Sequence, residues 1–243
     1  MRTKLILFSL FSIITSGLYA QIQNIDNYQE ISMYSQLQNN KQLRVNGDII
    51  NTKDLEGSPY LQKEFKKGFI EDTEQGKTIE AYLRYRIIDD MFEISKKSNP
   101  KEISVLKRGT NYNVRMGNKK FRFIMDYPIE LKGTYSGYAE VMFEKENISL
   151  YKRITQDYTP KKKMENGYAS SSSSKASLDN EEYYFIETND EIIQIEPHKK
   201  RAADAFPDHT KELENYIKDK KLKFRGDDEE KDLIQLVEFY NTL

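Results

Sequence analysis

The middle of the chain alternates apolar and polar residues so regularly that this pattern constrains the fold more than any other feature. In one run Leu83 and Tyr85 fall on one side of an extended strand, and Arg84 and Arg86 fall on the other. Successive side chains of a β-strand point to opposite faces of a sheet, so the pattern is typical of a half-buried sheet. Runs of this kind recur from residue 64 to residue 159.

Turn signals separate the alternating runs. The clearest is Met116-Gly117-Asn118-Lys119, in which a Gly-Asn pair between two runs predicts a two-residue hairpin turn. Other turns are predicted at 73–76, at Asp89-Asp90, at 133–137 and at Lys145-Glu146. Consecutive hairpins build an antiparallel β-meander, which closes as a barrel or folds as a sandwich.

The composition changes abruptly after residue 159. Three lysines at Lys161–Lys163 and five serines at Ser170–Ser174 have no apolar periodicity, so we predict a disordered linker over 160–180. One more hairpin is predicted around Asn189-Asp190, and the pattern leaves open whether it joins the first sheet.

Helical signals fill the C-terminal part of the chain. Helices are predicted over Lys199–Phe206, Asp208–Lys220 and Asp227–Leu243. In the last of these, an apolar stripe at i, i+3, i+4 and i+7 predicts packing against a core. The alternative is a helix that lies on a membrane, but such a helix carries Lys and Arg on its polar face, whereas this one begins with four acidic residues. The stripe consists of Leu233, Leu236, Val237 and Tyr240.

The N-terminus has the pattern of a secretory signal peptide. A basic start at Arg2 and Lys4 precedes an apolar run, Leu5–Ile14, and a small-residue end at Ala20. The apolar run is shorter than the roughly 20 residues that a membrane-spanning helix needs. We therefore expect cleavage near Ala20, no transmembrane segment in the mature chain, and a periplasmic or secreted protein.

The sequence thus predicts an α+β fold, in which an antiparallel β-meander is followed by a hairpin and a small C-terminal helical region. Five parts are expected: a signal peptide over 1–20, a mobile N-terminal arm over 21–56 with one short helix, an antiparallel β domain over 57–159, the disordered linker over 160–180, and a hairpin plus helical tail over 181–243 that packs on the β domain.

Composition excludes several classes of function. Without Arg2 and Lys4 the chain has 36 basic and 39 acidic residues, a formal charge of −3, so it lacks the basic footprint of a nucleic-acid-binding protein. The absence of cysteine rules out disulfides, thiol catalysis, thiolate zinc sites and iron–sulfur clusters. A chain of this length buries a core without disulfides.

Three segments resemble an uncharacterised family of small exported proteins from Bacteroidetes-type bacteria. They are Gly57-Ser58-Pro59-Tyr60-Leu61 with Glu64, Phe65 and Gly68; Tyr138–Val141 with Ser149–Arg153; and the ending Asp232–Asn241. The resemblance implies an envelope protein with a β-rich body and a helical tail, and it implies no activity. The arm before Gly57 and the serine run depart from the family pattern.

No motif identifies a catalytic, cofactor or metal site. His198 and His209 are the only histidines, and their spacing is not that of a zinc motif, so we expect both at the surface. The sequence has no nucleophile elbow and neither of the common glycine-rich nucleotide-binding loops. Its 39 acidic residues offer too many carboxylate pairs to discriminate among them. We therefore predict no catalytic, cofactor-binding or metal-ligating residues.

Tyrosine is abundant, with 17 residues. Tyrosines in strands either pack in the sheet or form an exposed face that binds sugar or peptide. The six in or beside predicted strands are Tyr82, Tyr112, Tyr127, Tyr135, Tyr138 and Tyr151. Two functions follow as hypotheses: a non-catalytic envelope protein that binds an envelope protein or a glycan or has a structural role, and an enzyme that acts on a glycan or the cell wall through carboxylates. Acidic residues that converge in a cleft with raised pKa values would favour the enzyme.

Overall fold

The computed structural model describes residues 22–23, 34–36, 43–45, 48–50, 55–161, 175–189 and 191–243. Its strands are β1 (Ile22–Gln23), β2 (Tyr34–Gln36), β3 (Leu43–Val45), β4 (Asp48–Ile50), β5 (Leu55–Glu56), β6 (Lys66–Asp72), β7 (Lys77–Arg86), β8 (Met91–Ser95), β9 (Ser104–Leu106), β10 (Tyr112–Met116), β11 (Lys119–Ile129), β12 (Gly133–Lys145), β13 (Ile148–Thr159), β14 (Ala176–Thr188) and β15 (Glu191–Ile195). Two helices follow, α1 (Thr210–Lys220) and α2 (Glu229–Tyr240), with 3₁₀ turns at Ala202–Ala205, Pro207–His209 and Gly226–Asp228.

The described strands confirm an α+β fold built on a mostly antiparallel meander. Thirteen of them form one sheet, in which eleven follow the order β15-β14-β13-β12-β11-β10-β6-β7-β8-β9-β2. In addition β1 pairs with β7 and β5 pairs with β14, both in parallel, while β3 and β4 form a separate pair. The last hairpin joins the first sheet, because β14 pairs with β13 from Ile148 to Thr159.

In the central strands, the sheet buries the apolar residues that the alternating pattern predicts to lie inside. In β7 every second residue is buried, and Leu83 has no exposed surface. The two-residue turn between Met116 and Lys119 and the turn before Met91 lie where they were predicted. The predicted turn at 133–137 is wrong: β12 already begins at Gly133, and the chain turns at 130–132.

The sheet curls strongly. Strand β13 lies five steps from β7 along the sheet, which is about 24 Å in a flat sheet with strands about 4.8 Å apart. Arg153 of β13 nevertheless bonds to Tyr85 of β7 and to Asp90 in the β7–β8 turn. Register shifts in β11, between Ile124 and Tyr127, and in β12 mark irregularities of the kind that bend strands. The order of the described strands is open, with β15 and β2 at its ends.

The helical tail packs on β13–β15 and buries the predicted apolar stripe. Leu233, Leu236 and Val237 have no exposed surface, and they share a core with Leu150 and Ile186 of the sheet. Tyr240, the fourth member of the stripe, packs its ring 4.4 Å from that of Phe206. The helix predicted over Lys199–Phe206 is reduced to the 3₁₀ turn Ala202–Ala205, whose alanines lie in the same core.

Two other predictions need correction. Strand β14 begins at Ala176, so residues 176–180 belong to the sheet and not to the linker; residues 162–174 lie outside the described part. In the N-terminal arm, the predicted helix is contradicted at Tyr34–Gln36, which pairs with β9 as a strand. The signal peptide over 1–20 lies outside the described residues.

Candidate functional site

A buried cluster of charged and phenolic groups, here called the Asp90 lock, joins the β7–β8 turn to β12 and β13. It consists of Asp90, Arg153, Tyr85 and Tyr138. Asp90 Oδ1 lies 2.6 Å from Arg153 Nη1 and accepts a hydrogen bond from the Tyr85 hydroxyl, also at 2.6 Å. Arg153 Nη1 also donates to the Tyr138 carbonyl at 2.8 Å, and the Tyr138 N–H donates to Asp90 at 3.1 Å. Burial, with the charge of Asp90 added, raises the pKa of Tyr85 well above its usual value.

A glycine, Gly137, lies where the chain segments of the Asp90 lock meet. A Cβ atom on Gly137 would lie 2.8 Å from Asp90 Oδ2 and 3.0 Å from Arg153 Cζ. Real Cβ atoms do not approach a neighbour that closely without a shift. The Nε atom of Arg153 is buried without a hydrogen-bond partner, so the lock accommodates one unsatisfied donor.

A second cluster, here called the Glu93 lock, lies on the other face of β7 and β8. It consists of Glu93, Arg84, Arg86, Tyr60 and Phe65. Glu93 is almost completely buried and pairs with Arg84 at 2.5 Å and with Arg86 at 2.8 Å. The Arg84 guanidinium lies 3.9 Å from the ring centre of Tyr60 and 4.4 Å from that of Phe65. The segment that contains Tyr60 and Phe65 is thereby held against the sheet.

Many carboxylates among the described residues form ion pairs. Where the pKa of a carboxyl group shifts, it shifts downward. Burial alone would raise the pKa of Glu144, but hydrogen bonds and charges from Lys120 and Arg122 outweigh it. Hydrogen bonds from Lys132 and Tyr183 lower the pKa of Glu181. A general acid needs the opposite shift at neutral pH.

An open cavity, here called the outer groove, lies on the solvent face of β6, β7, β10 and β11. Its volume is about 370 Å³, which is within the range of small-ligand sites. The side chains that define the groove are Phe69, Glu71, Thr78, Asn113, Arg115 and Lys120; Val114 also lines it.

The strand register arranges these side chains in two rows across the sheet. In one row Phe69 lies opposite Arg115, and Arg115 lies opposite Lys120. In the next row Thr78 lies opposite Glu71, and Glu71 lies opposite Asn113. Among the residues that line the groove, the first row carries an aromatic ring and two cations, and the second row carries hydroxyl, carboxylate and amide groups. Outside the lining, Glu80 continues the first row and Arg122 continues the second.

The polar groups of the two rows differ in whether a described residue pairs with them. The Asn113 amide donates to Glu71 Oε2 at 3.0 Å, and Lys120 Nζ lies 2.7 Å from Glu144 Oε2. Arg122 also binds Glu144, at 2.5 Å, so this carboxylate is shared between two cations. Arg115 is exposed, and its side chain makes no ion pair or hydrogen bond with any residue that the structure describes.

A smaller cavity of about 150 Å³ lies where the β11–β12 turn meets β15. Its polar groups are already engaged with one another. The Glu130 N–H donates to Gln194 at 2.7 Å, and Arg201 lies 2.6 Å from Glu196 and 3.3 Å from Glu130. The polar groups of this cavity therefore mainly join the neighbouring elements to one another.

The tyrosines considered from the sequence are mostly packed inside. Tyr112, Tyr127, Tyr138 and Tyr151 are buried, which fits packing in the sheet, while Tyr82 is half-buried and Tyr135 is exposed. The last two lie on different hairpins, Tyr82 in β7 and Tyr135 in β12.

Both histidines retain solvent contact. His198 is exposed, and His209 is half-buried with its ring 5.7 Å from that of Tyr240. Over the described ranges, no group of three or more histidine, aspartate or glutamate side chains is arranged to hold a metal ion. Within the same part of the chain no helix is long and apolar enough to cross a membrane.

Comparison with protein-family models, with curated proteins and with solved structures finds no match to this chain. The outer groove was missed from the sequence, because its members fall on the polar side of the alternation, where exposed residues are ordinary. Phe69 was the available signal, since it is an aromatic residue at a position that the alternation of β6 assigns to solvent.

Proposed function

We propose that this chain is an exported, non-catalytic binding or structural protein of the cell envelope, located in the periplasm or secreted, with an envelope glycan or protein as its partner. The observation that carries the proposal is the outer groove, an open cavity whose surface carries an aromatic ring and a guanidinium that no described residue pairs with. The N-terminal pattern over 1–20 and the resemblance to small exported proteins support export.

The carboxylates favour this function over an enzyme that acts on glycans. Asp90 and Glu93, the most buried acidic groups apart from Asp72, are each bonded to arginine. Asp72 accepts hydrogen bonds from the backbone of Glu74 and Gln75 in the turn that follows it. These carboxylates are thus used to hold the fold together.

The test has two arms. Cell fractionation followed by N-terminal sequencing should find the protein in the periplasm or medium, beginning at or near Gln21. The exported protein should also capture envelope glycan or envelope protein from a cell-envelope extract, without degrading it. A cytoplasmic protein that still begins at Met1, or an extract whose glycans are shortened by the purified protein, would contradict the proposal.

A further inference from the structure

We propose that the outer groove binds a saccharide that carries a carboxylate, such as a uronic-acid unit of a short glycan. The proposal deepens the proposed function, because it names the ligand class of the same groove. It rests on three features of the described residues: a pair of opposed cations, a partly exposed aromatic ring beside them, and a row of hydrogen-bonding groups one step away.

The opposed cations indicate an anion. Arg115 and Lys120 face each other on neighbouring strands, where Cβ atoms lie about 5 Å apart and like charges destabilise a sheet. Lys120 is compensated by Glu144, but Arg115 has no counterion among the residues that the structure describes. A bound carboxylate would supply that charge, and a guanidinium binds a carboxylate through two parallel hydrogen bonds.

The second row limits how much negative charge the ligand carries. Glu71 lies diagonally from Arg115, and its carboxylate faces the same groove. A polyanion such as a phosphate-rich chain would bring charge against Glu71. A sugar acid avoids this conflict, because its carboxylate lies at the Arg115 end while its hydroxyls donate to Glu71 and bond to Asn113 and Thr78.

The aromatic ring favours a saccharide over a simple carboxylate. Phe69 lies directly opposite Arg115 and is partly exposed at the groove. A pyranose ring has an apolar face of C–H groups that packs on an aromatic ring, and polar edges that reach the neighbouring side chains. The row Phe69–Arg115–Lys120 spans about 10 Å across three strands, which is enough for two sugar rings.

The position of the groove argues against an acidic peptide. Extended peptides bind β-proteins by adding a strand to a free sheet edge. The groove lies on the face of the sheet, where β6 and β10 are paired on both sides, and the neighbouring part of β7 is paired with β1 at Ile22. Recognition must therefore come from side chains.

The experiment is a calorimetric titration of the folded, exported chain with three probes. They are a trisaccharide that carries a single uronic acid unit, the same trisaccharide with that carboxylate methyl-esterified, and a short peptide of aspartate and glutamate. We expect the acid trisaccharide to bind at least tenfold more tightly than its ester, because the ester keeps the rings and loses the charge. Added salt should weaken the binding of the acid and leave that of the ester unchanged.

Variants test whether the groove is responsible. Arg115→Gln should weaken binding of the acid trisaccharide about tenfold, and Phe69→Leu should weaken both saccharides. The matched control is Arg225→Gln, because Arg225 is also exposed and without a side-chain partner among the described residues but lies in the helical region. Unchanged melting temperatures establish that the variants are folded.

The outcomes separate this inference from the proposed function. Tighter binding of the acid that Arg115→Gln removes and Arg225→Gln retains supports the inference. Equal binding of acid and ester, or acid binding that Arg115→Gln leaves intact, overturns it. Binding of the peptide alone also overturns it, while capture from the envelope extract still supports the proposed function. Failure of both the titration and the capture overturns both.

Discussion

The Asp90 lock and the outer groove both contain charged side chains of the same sheet. They differ in whether those charges are buried and paired. In the lock one buried carboxylate meets one buried guanidinium at 2.6 Å, and a phenol and a backbone N–H also bond to the carboxylate. In the groove two cations face each other, and the more exposed one has no partner among the described residues.

In the lock, charge contributes to the stability of the fold. In the groove, charge stays accessible to solvent and ligands. Removing a charge from water costs several kcal/mol, so a buried pair persists only when its bonds are nearly complete. An exposed cation remains hydrated, so repulsion from a neighbouring cation lowers the free energy of unfolding by only a few tenths of a kcal/mol. The first kind of charge joins strands that the curl of the sheet brings together, and the second kind remains exposed to solvent.

The largest effect should come from breaking the Asp90 lock. Asp90→Ala leaves the Arg153 guanidinium buried without its counterion, and we expect a loss of about 3–5 kcal/mol in the free energy of unfolding. Urea unfolding followed by circular dichroism measures it. Asp219→Ala is the control, because Asp219 is an exposed residue of α1. A loss below about 1 kcal/mol would mean that the lock does not hold the sheet.

The next effect tests the helical tail. Leu236→Ala should cost about 2–5 kcal/mol, because it removes a fully buried side chain and leaves a cavity between α2 and the sheet. Leu243→Ala offers a matched control, since Leu243 is 52% exposed. The two variants should differ clearly in urea midpoint at an unchanged slope. If they unfold alike, α2 does not pack as described.

Alkaline pH should weaken the fold progressively. Burial, reinforced by the negative charge of nearby carboxylates, raises the pKa of Tyr85, Tyr138 and Tyr184 above that of a free tyrosine. The folded state then retains protons that the unfolded state releases above pH about 10, so stability is complete below that pH and falls as pH rises further. The loss is on the order of 1 kcal/mol per pH unit for each such tyrosine. Urea unfolding between pH 8 and pH 11 measures it, and Tyr85→Phe should reduce the slope. A flat profile would contradict the burial of these groups.

Local pattern was sufficient for much of the fold. The alternation of β7 predicts which residues are buried, and the stripe of Leu233, Leu236 and Val237 predicts which face of α2 packs inward. Each pattern depends only on how often side chains return to the same face within a single strand or helix. The turn at 130–132 was misplaced because glycines 133 and 137 gave the stronger turn signal, whereas Leu131 takes a left-handed conformation with φ of 62°.

The candidate site depends on register, which local pattern does not contain. Phe69 and Arg115 are neighbours only because β10 pairs directly with β6, although β7, β8 and β9 separate the two strands along the chain. Arg153 meets Asp90 only because the sheet curls. Taken alone, Phe69, Arg115 and Arg153 are ordinary strand residues, and Asp90 is an ordinary turn residue. The groove and the lock therefore emerge at the level of tertiary structure.

The smallest effect on stability is expected at Arg115, the exposed cation of the groove. Arg115→Gln removes one of two like charges that face each other on neighbouring strands, and it breaks no ion pair or hydrogen bond with a described residue. We expect the free energy of unfolding to stay within about 0.5 kcal/mol of the original and to change, if at all, towards greater stability. Urea unfolding at low salt measures this, because salt screens the repulsion that the substitution relieves.

Lys120→Gln is the informative partner of that variant. It relieves the same repulsion but also removes an ion pair with Glu144, so it should be the less stable of the two. An arginine whose removal leaves stability unchanged while weakening ligand binding is a residue kept for binding. If Arg115→Gln instead lost more than about 1 kcal/mol, Arg115 would belong with Arg153 as a structural charge, and the contrast between groove and lock would fail.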